Sequence, residues 1–170
     1  YATSALREAG NRQIVLDQIR VRTGIRVKVL SNSEQRFLCY KAIAVKENEF
    51  QSIIKKGTAI VDVGSGSTQL SLFDKDALVT TQYLKLGALR IKETLGHLDY
   101  DRVNYRMLIQ ELVDNDIDTF RKMFLKDRDI KNIIATGLCA LYLNRKGGGD
   151  RRADKMTVRE FMDFCGRMER

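Results

Sequence analysis

The sequence contains no proline, no tryptophan, one histidine and three cysteines among its 170 residues. Cys39, Cys139 and Cys165 form no CxxC pair, and each lies in an apolar context, which predicts core thiols rather than disulfides or metal ligands. His97 directly follows a glycine and is expected at the surface. With so few suitable side chains, a Cys/His zinc site and a serine-histidine triad are both hard to build.

Long apolar runs are also missing. No stretch approaches the roughly 20 apolar residues that span a bilayer, and the first residues lack a charged region followed by an apolar one. We therefore predict a cytoplasmic protein, and the 44% hydrophobic content is enough for one domain around one core. The abrupt start at Tyr1 and the absence of proline indicate a piece of a longer protein.

Acidic residues are fewer than basic ones. The chain has 30 Lys and Arg and 22 Asp and Glu, which gives a net charge of +8. This balance favours polyanionic partners, which include nucleic acid, polyphosphate and highly phosphorylated nucleotides. No RNP1 sequence or C2H2 finger is present, and aromatic residues do not interleave the basic ones, so specific nucleic-acid binding is not predicted. Ordinary solvated basic faces are the alternative explanation of the charge.

Hydrophobic periodicity predicts an α/β domain in which a mixed sheet carries helices on both faces. Ser31 with Glu34 and Thr157 with Glu160 have the spacing of helix capping boxes. Gly147 to Gly149 form a flexible stretch. The predicted order is a helix over 4–22 with a break near Gly10, a strand over 25–30, a helix over 31–46, strands over 58–63, 69–73 and 78–84, helices over 87–95 and 100–125, a strand over 130–135, and two further helices.

The segment Asp62-Val63-Gly64-Ser65-Gly66-Ser67-Thr68-Gln69 joins two of these strands. Its glycines allow backbone amides to converge on an anion, Ser67 and Thr68 add hydroxyl donors, and Asp62 at the strand end is a candidate ligand for a divalent metal. A plain hairpin turn is the alternative. Walker A and Rossmann loops are excluded, because the first needs a Gly-Lys-Ser/Thr sequence, the second needs a glycine where Gln69 stands, and both open a helix. An antiparallel phosphate hairpin favours the ribonuclease-H-like fold of actin and sugar kinases.

Four segments resemble the exopolyphosphatase and guanosine-pentaphosphate phosphatase family, Ppx/GppA, in order and in spacing. They are Ala2 to Ala9 with Asn11, Val29 to Gln35, Asp62 to Gln69, and Leu86 to Arg90. The resemblance implies that this chain is the second lobe of a two-lobed phosphatase module, without the phosphate loop of the first lobe. It also implies polyphosphate or guanosine polyphosphate as the ligand, and a homodimer is conceivable for the full-length protein.

The same resemblance implies roles for individual residues. Arg7 would contact phosphate, and the backbone of Gly64, Ser65, Gly66 and Ser67, with Thr68, would cradle it. Asp62 would lie beside Mg²⁺ at the catalytic centre. Thr136-Gly137 falls where related folds use a small-residue turn near a nucleotide, although Leu138 departs from that pattern.

Gln35 and Gln69 stand where the family carries catalytic glutamates. A glutamine cannot accept the proton of an attacking water, a role usually worth about 10²–10⁴ in rate. Glu34, one position away, lies about 100° around the helix and is expected to act as the capping-box residue instead. Three functions therefore stay open: a phosphoric anhydride hydrolase, a catalytically weakened polyphosphate-binding regulator, and a kinase of the acetate or sugar type.

Overall fold

The computed structural model describes residues 1–96, 102–137, 140 and 155–168. Seven α-helices and four strands lie in these ranges, and a single π-helical turn, Arg121–Leu125, follows the longest helix. The helices are α1 (Ser4–Glu8), α2 (Arg12–Thr23), α3 (Asn32–Lys46), α4 (Phe50–Ile54), α5 (Ala88–Leu95), α6 (Arg102–Phe120) and α7 (Val158–Met168), and the strands are β1 (Thr58–Val63), β2 (Thr68–Asp74), β3 (Ala77–Leu84) and β4 (Asn132–Thr136).

The strands form one mixed sheet in the order β3-β2-β1-β4. β1 pairs antiparallel with β2 and parallel with β4, and β2 pairs antiparallel with β3. The turn between β2 and β3 uses Lys75 and Asp76, both with positive φ, as a tight hairpin requires. The predicted strands over 58–63, 69–73 and 78–84 are confirmed, and β1 lies inside the sheet between β2 and β4.

Helices cover both faces of the sheet, as the hydrophobic pattern predicted. Alternate residues of a strand point to opposite faces, so Ile60 and Val61 contribute to different clusters. One cluster contains Phe50, Ile54, Ile60 and Phe73, with Tyr40, Ile43 and Ile134 packed against it. The other contains Leu70, Leu72 and Phe120, with Val61, Ile117 and Phe124 among its neighbours.

Helix α3 begins with the predicted capping box. The Glu34 backbone amide donates to Ser31 Oγ at 3.2 Å, and the Ser31 amide donates to Glu34 Oε2 at 2.9 Å. Lys28 Nζ lies 2.8 Å from Glu34 Oε1. Lys28 and the Ser31 amide together lower the pKa of the Glu34 carboxyl to about 2. The Thr157–Glu160 box at the start of α7 is also present.

The prediction of a strand over 25–30 is wrong. Only Val29 pairs, in an isolated parallel bridge with Ala2, because the short segment before α1 offers it a single partner. The sequence also gave no signal for α4, whose five residues are too few for a helical period to be read. Cys39 and Cys165 are half-buried free thiols, whereas Cys139, His97, Leu138 and the stretch from Gly147 to Gly149 lie outside the described residues.

No helix within the described ranges is both long and apolar enough to cross a membrane. The cytoplasmic location stays a prediction.

Candidate functional site

A row of four polar side chains crosses the sheet near the loop between β1 and β2. In register, Tyr83 pairs with Gln69, Gln69 pairs with Asp62, and Asp62 pairs with Thr136. Residues directly opposite one another in a sheet point to the same face, so these four form a continuous polar row. We call Tyr83, Gln69, Asp62 and Thr136 the polar row.

Helix α3 lies across the face that carries the polar row. The Tyr40 hydroxyl donates to Ser71 Oγ at 2.5 Å, and Ser71 is two residues along β2 from Gln69. Cys39 Sγ lies 3.8 Å from Thr136 Oγ1. Gln35 precedes Cys39 by four residues, about one helical turn, and therefore lies on the same side of α3.

Asp62 is held at the end of β1 by neighbouring groups. Its Oδ1 accepts a hydrogen bond from Thr136 Oγ1 at 3.0 Å. Gly137 has φ +92°, and a Cβ at this position would lie 2.4 Å from the Val63 oxygen and 3.3 Å from Asp62 Oδ1. Only glycine can therefore follow Thr136 here, which gives the predicted Thr136-Gly137 turn a steric reason.

The loop over residues 64–67 turns its carbonyl groups toward the start of α5. The Leu89 and Arg90 amides donate to the Ser65 oxygen at 2.9 and 3.2 Å, and the Ala88 amide donates to the Gly64 oxygen at 3.4 Å. The Arg90 side chain donates from Nε to the Gly66 oxygen at 2.7 Å. Three successive carbonyls thus face α5.

This arrangement fixes where the loop amides point. In a trans peptide the carbonyl of one residue and the N–H of the next lie on opposite sides of the chain. With the carbonyls of residues 64, 65 and 66 held by α5, the amides of Ser65, Gly66 and Ser67 are directed away from that helix. Neither Gly64 nor Gly66 has a positive φ, so the loop does not have the alternating backbone of a nest, but three amides that face one side can donate to an anion there.

Two glycines let other groups approach this loop closely. A Cβ on Gly87 would lie 2.3 Å from the Ser65 oxygen and 2.4 Å from the Ser67 nitrogen, so α5 can sit against the loop only with glycine there. A Cβ on Gly66 would lie 2.8 Å from Ser4 Oγ of α1. The Thr68 hydroxyl, predicted as a phosphate donor, donates instead to the Leu86 oxygen and is buried.

Helix α1 adds two charged side chains to the site. Arg7 donates from Nη1 to the Leu30 oxygen at 2.7 Å, and its guanidinium lies 5.8 Å above the centre of the Tyr83 ring. Glu8 accepts from the Tyr83 hydroxyl at 2.9 Å and from Arg90 Nη2 at 2.7 Å. These hydrogen bonds, that from Tyr83 first, lower the pKa of the Glu8 carboxyl.

Sequence reasoning missed Glu8, Tyr83 and Arg90 as members of the site. Glu8 and Arg90 do lie inside the family-like segments, next to Arg7 and at the end of Leu86 to Arg90. Their contact joins residues 82 positions apart, which no local pattern can indicate.

Four buried side-chain atoms in the described ranges lack a hydrogen-bond partner, and all belong to this region: Arg7 Nη2, Asn32 Oδ1, Gln35 Oε1 and Gln69 Nε2. An unsatisfied buried polar atom usually costs about 1–3 kcal/mol. Arg7 lies over Tyr83, the strand neighbour of Gln69, and bonds Leu30, two residues before Asn32 in the first turn of α3 that also carries Gln35. The cluster is suited to a polar ligand that supplies the missing partners.

The resemblance implied magnesium beside Asp62, but the described side chains do not form a complete magnesium site by themselves. Asp62 is the one carboxylate of the polar row, and one of its oxygens already accepts from Thr136. The described residues contain no group of three His, Cys, Asp or Glu side chains able to hold a metal. Gln69 and Gln35 offer neutral amides, whereas magnesium in proteins favours carboxylates and water.

Residues 1–165 match the model of the Ppx/GppA phosphatase family. Exopolyphosphatase 1 from Mycobacterium leprae is 33% identical over 91 residues, which are 54% of this chain and 26% of that protein. The chain therefore spans about a quarter of this curated relative.

Solved structures resemble the fold. An exopolyphosphatase from Cytophaga hutchinsonii superimposes with a TM-score of 0.72 at 16% identity, over 98% of this chain and 55% of that one. The Aquifex aeolicus PPX-GPPA enzyme superimposes with a TM-score of 0.61 at 19% identity, over 86% of this chain and 45% of that one. The chain thus spans about half of each.

Proposed function

The chain belongs to the Ppx/GppA phosphatase family, and from this premise we propose that it is the second lobe of a phosphoric anhydride hydrolase. Its loop over residues 64–67 and Arg7 would hold the terminal phosphate of inorganic polyphosphate or of a guanosine polyphosphate. The whole protein would release that phosphate to water.

The orientation of the loop carries this proposal. α5 captures three successive carbonyls, so the amides of Ser65, Gly66 and Ser67 are directed to the other side, where an anion can accept from them. A plain hairpin turn does not need a helix and an arginine side chain to hold its carbonyls. The arrangement therefore favours anion binding over the plain-turn alternative.

Arg7 supplies the positive charge that a phosphate needs. Its Nη1 donates to the Leu30 oxygen, and its Nη2 is buried without a partner. A guanidinium matches a phosphate oxygen pair in geometry, and charge-assisted hydrogen bonds of this kind are about twice as strong as neutral ones.

Hydrolysis by this lobe would rest on positioning and electrostatic stabilisation. Phosphoryl transfer needs little covalent help from the protein, so binding the terminal group and its developing charge accounts for much of the catalysis. Gln35 and Gln69 cannot remove a proton from the attacking water. A magnesium ion, if the whole protein uses one, would neutralise phosphate charge, and Asp62 is the only polar-row carboxylate that this chain offers to it.

A second candidate is a regulatory protein that binds polyphosphate or a guanosine polyphosphate without efficient hydrolysis. The specific observation in its favour is that two glutamines stand at the positions where the family resemblance implies glutamates, with buried, unpartnered amide atoms. Binding of polyphosphate without release of inorganic phosphate would select this candidate.

Gly66→Val in the full-length protein tests the phosphate site. A Cβ there would lie 2.8 Å from Ser4 Oγ, so the valine side chain would push the loop out of place. We expect tripolyphosphate affinity, measured by isothermal titration calorimetry, to fall by a factor of about ten or more, which corresponds to 1.4 kcal/mol. Gly166→Val is the matched control, because nothing lies within 4 Å of a Cβ at that position. Equal affinity in the Gly66 variant and the wild type would reject the loop as the binding site.

A further inference from the structure

We infer that this site binds phosphate directly, without a divalent cation between the phosphate and the polar row, and that Gln69 and Arg7 donate hydrogen bonds to the phosphate oxygens. The inference rests on the proposed function, since it requires a phosphate in this site. It adds the mode of binding, which the family resemblance does not imply.

The argument begins with the charge of the side chains that face the ligand. A carboxylate repels a phosphate, so a site with several carboxylates near a phosphate needs a cation to hold the two together. Here positions 35 and 69 carry neutral amides, and Asp62 is the one carboxylate in the polar row. Glu8, the other carboxylate of the site, is paired with Arg90, so the repulsion that a bridging cation would offset comes mainly from Asp62.

Two buried donor atoms can bind the phosphate in place of such a cation. Gln69 is 3% exposed, and its Nε2 has no hydrogen-bond partner. Arg7 Nη2 is the second unpartnered donor, and Arg7 lies over Tyr83, the strand neighbour of Gln69. Both unpartnered donors thus lie next to Tyr83, with Arg7 over its ring and Gln69 opposite it in the sheet, and a phosphate oxygen is an acceptor.

The acceptor atoms of the cluster are compatible with the same ligand. Asn32 Oδ1 and Gln35 Oε1 belong to side-chain amides, which carry a donor at the other end and exchange the two ends by a half-turn. A carboxylate cannot present a donor at physiological pH. Glutamine at position 35 therefore allows contact with an ionised phosphate that a glutamate would oppose.

The state of Asp62 further disfavours a cation. Its Oδ1 accepts from Thr136 Oγ1, and a Cβ at position 137 would lie 3.3 Å from the same oxygen. A metal at Oδ1 would compete with that hydrogen bond, and a metal at Oδ2 would find no second carboxylate in the row. The row is thus better suited to a direct phosphate contact than to a metal-bridged one.

The experiment is calorimetric titration of tripolyphosphate into the full-length protein, once with EDTA and once with excess Mg²⁺. We expect binding in EDTA at an affinity at least equal to that in Mg²⁺, because the free cation competes with the site for the polyanion. Binding that occurs only with Mg²⁺ would overturn this inference and leave the proposed function standing. Absence of binding in both buffers would overturn the proposed function and the inference with it.

Variants at position 69 give a second readout. Gln69→Glu replaces the donor by a carboxylate, so we expect affinity in EDTA to fall about tenfold or more and to recover, at least in part, with Mg²⁺. Gln69→Leu removes the donor without adding charge, so the loss should be similar in both buffers. If Gln69→Glu binds as tightly as wild type in EDTA, Gln69 does not contact the phosphate.

Two controls guard against misfolding, because a glutamate at position 69 would be buried. Gln35→Glu places the same change at a half-buried position of the site, and it should also make the affinity for tripolyphosphate depend on Mg²⁺. Gln82→Glu places it on β3 on the opposite face of the sheet, beside Leu70 in register, and should leave binding unchanged in both buffers. Circular dichroism melting curves identify any variant that does not fold.

Discussion

Gly87 controls how closely α5 approaches the phosphate loop. Its φ of −127° is ordinary for any residue, so its importance comes from contact alone. Gly87→Ala would place a Cβ 2.3 Å from the Ser65 oxygen and 2.4 Å from the Ser67 nitrogen, and helix and loop must then separate. We expect a loss of about 1–3 kcal/mol in the free energy of unfolding, as for other overpacked sites, together with weaker tripolyphosphate binding.

Gly10→Ala provides the comparison, because no atom lies within 4 Å of a Cβ at that position. The free energy of unfolding of this variant should be nearly that of the wild type. Denaturant unfolding of both variants is the measurement. If Gly87→Ala unfolds at the wild-type denaturant concentration and binds tripolyphosphate normally, the close approach of α5 to the loop is not required.

At the scale of single residues, the site residues that a local motif defines could be predicted from the sequence. Those that depend on contacts between distant parts of the chain could not. Asp62 to Gln69 stood out because a strand of β-formers ended in an acidic residue and two glycines. The Glu8–Arg90 pair depends on the packing of α1 beside β3 and α5, which neither residue's neighbours reveal. The role of Glu34 was predicted correctly, because a capping box is set within four residues.

At the scale of elements, Arg90 connects α5, to which it belongs, with the phosphate loop and with α1. Its guanidinium holds the Gly66 oxygen with Nε and Glu8 of α1 with Nη2, and a lysine has no second nitrogen to do both. Arg90→Lys should therefore loosen the loop peptide that directs the Ser67 amide. We expect tripolyphosphate affinity to fall about tenfold, measured by calorimetry, while the melting temperature changes little, because partly exposed ion pairs contribute only about 0–1 kcal/mol.

The separation of affinity from stability distinguishes a positioning role from a structural one. Glu8→Gln keeps a hydrogen-bonding group opposite Arg90 and Tyr83 and should lose less affinity than Glu8→Ala. Lys55→Ala is the control, because it removes the ion pair between Lys55 and Asp76. It should leave the affinity for tripolyphosphate unchanged. If Arg90→Lys lowers stability and affinity in proportion, or leaves affinity unchanged, Arg90 does not act through the loop.

Strands and long helices were predictable because a repeating pattern extends over many residues. β1, β2 and β3 each carry a run of β-formers bounded by glycine or aspartate, and their bounds were predicted to within a residue. The segment over 25–30 has the alternation of a strand, yet it pairs only at Val29. Pairing depends on a partner strand as well as on the pattern, and the partner here is the short segment around Ala2.

At the scale of the whole molecule, the sheet separates two environments. One face carries the polar row beneath α3, and the other carries the apolar cluster of Leu70, Leu72 and Phe120 beneath α6. The chain covers 55% and 45% of two of the solved structures that it matches, so about half of each of those structures lies outside the aligned part. Efficient hydrolysis is therefore a property to test in the full-length protein.

We predict that residues 1–170 alone release little or no phosphate from polyphosphate, for two independent reasons. The family resemblance implies a first lobe that would close the cleft, and without it water would screen the electrostatic stabilisation that phosphoryl transfer needs. In addition, Gln35 and Gln69 cannot accept a proton. The two causes can be separated in the full-length protein by comparing it with a Gln35→Glu, Gln69→Glu double variant and measuring phosphate release with Mg²⁺ present. If the missing carboxylates limit the rate, the double variant should gain about tenfold or more, the usual contribution of a positioned base. If the unmodified full-length protein already turns over at about 1 per second or faster, within the range of ordinary enzymes, the two glutamines do not limit catalysis.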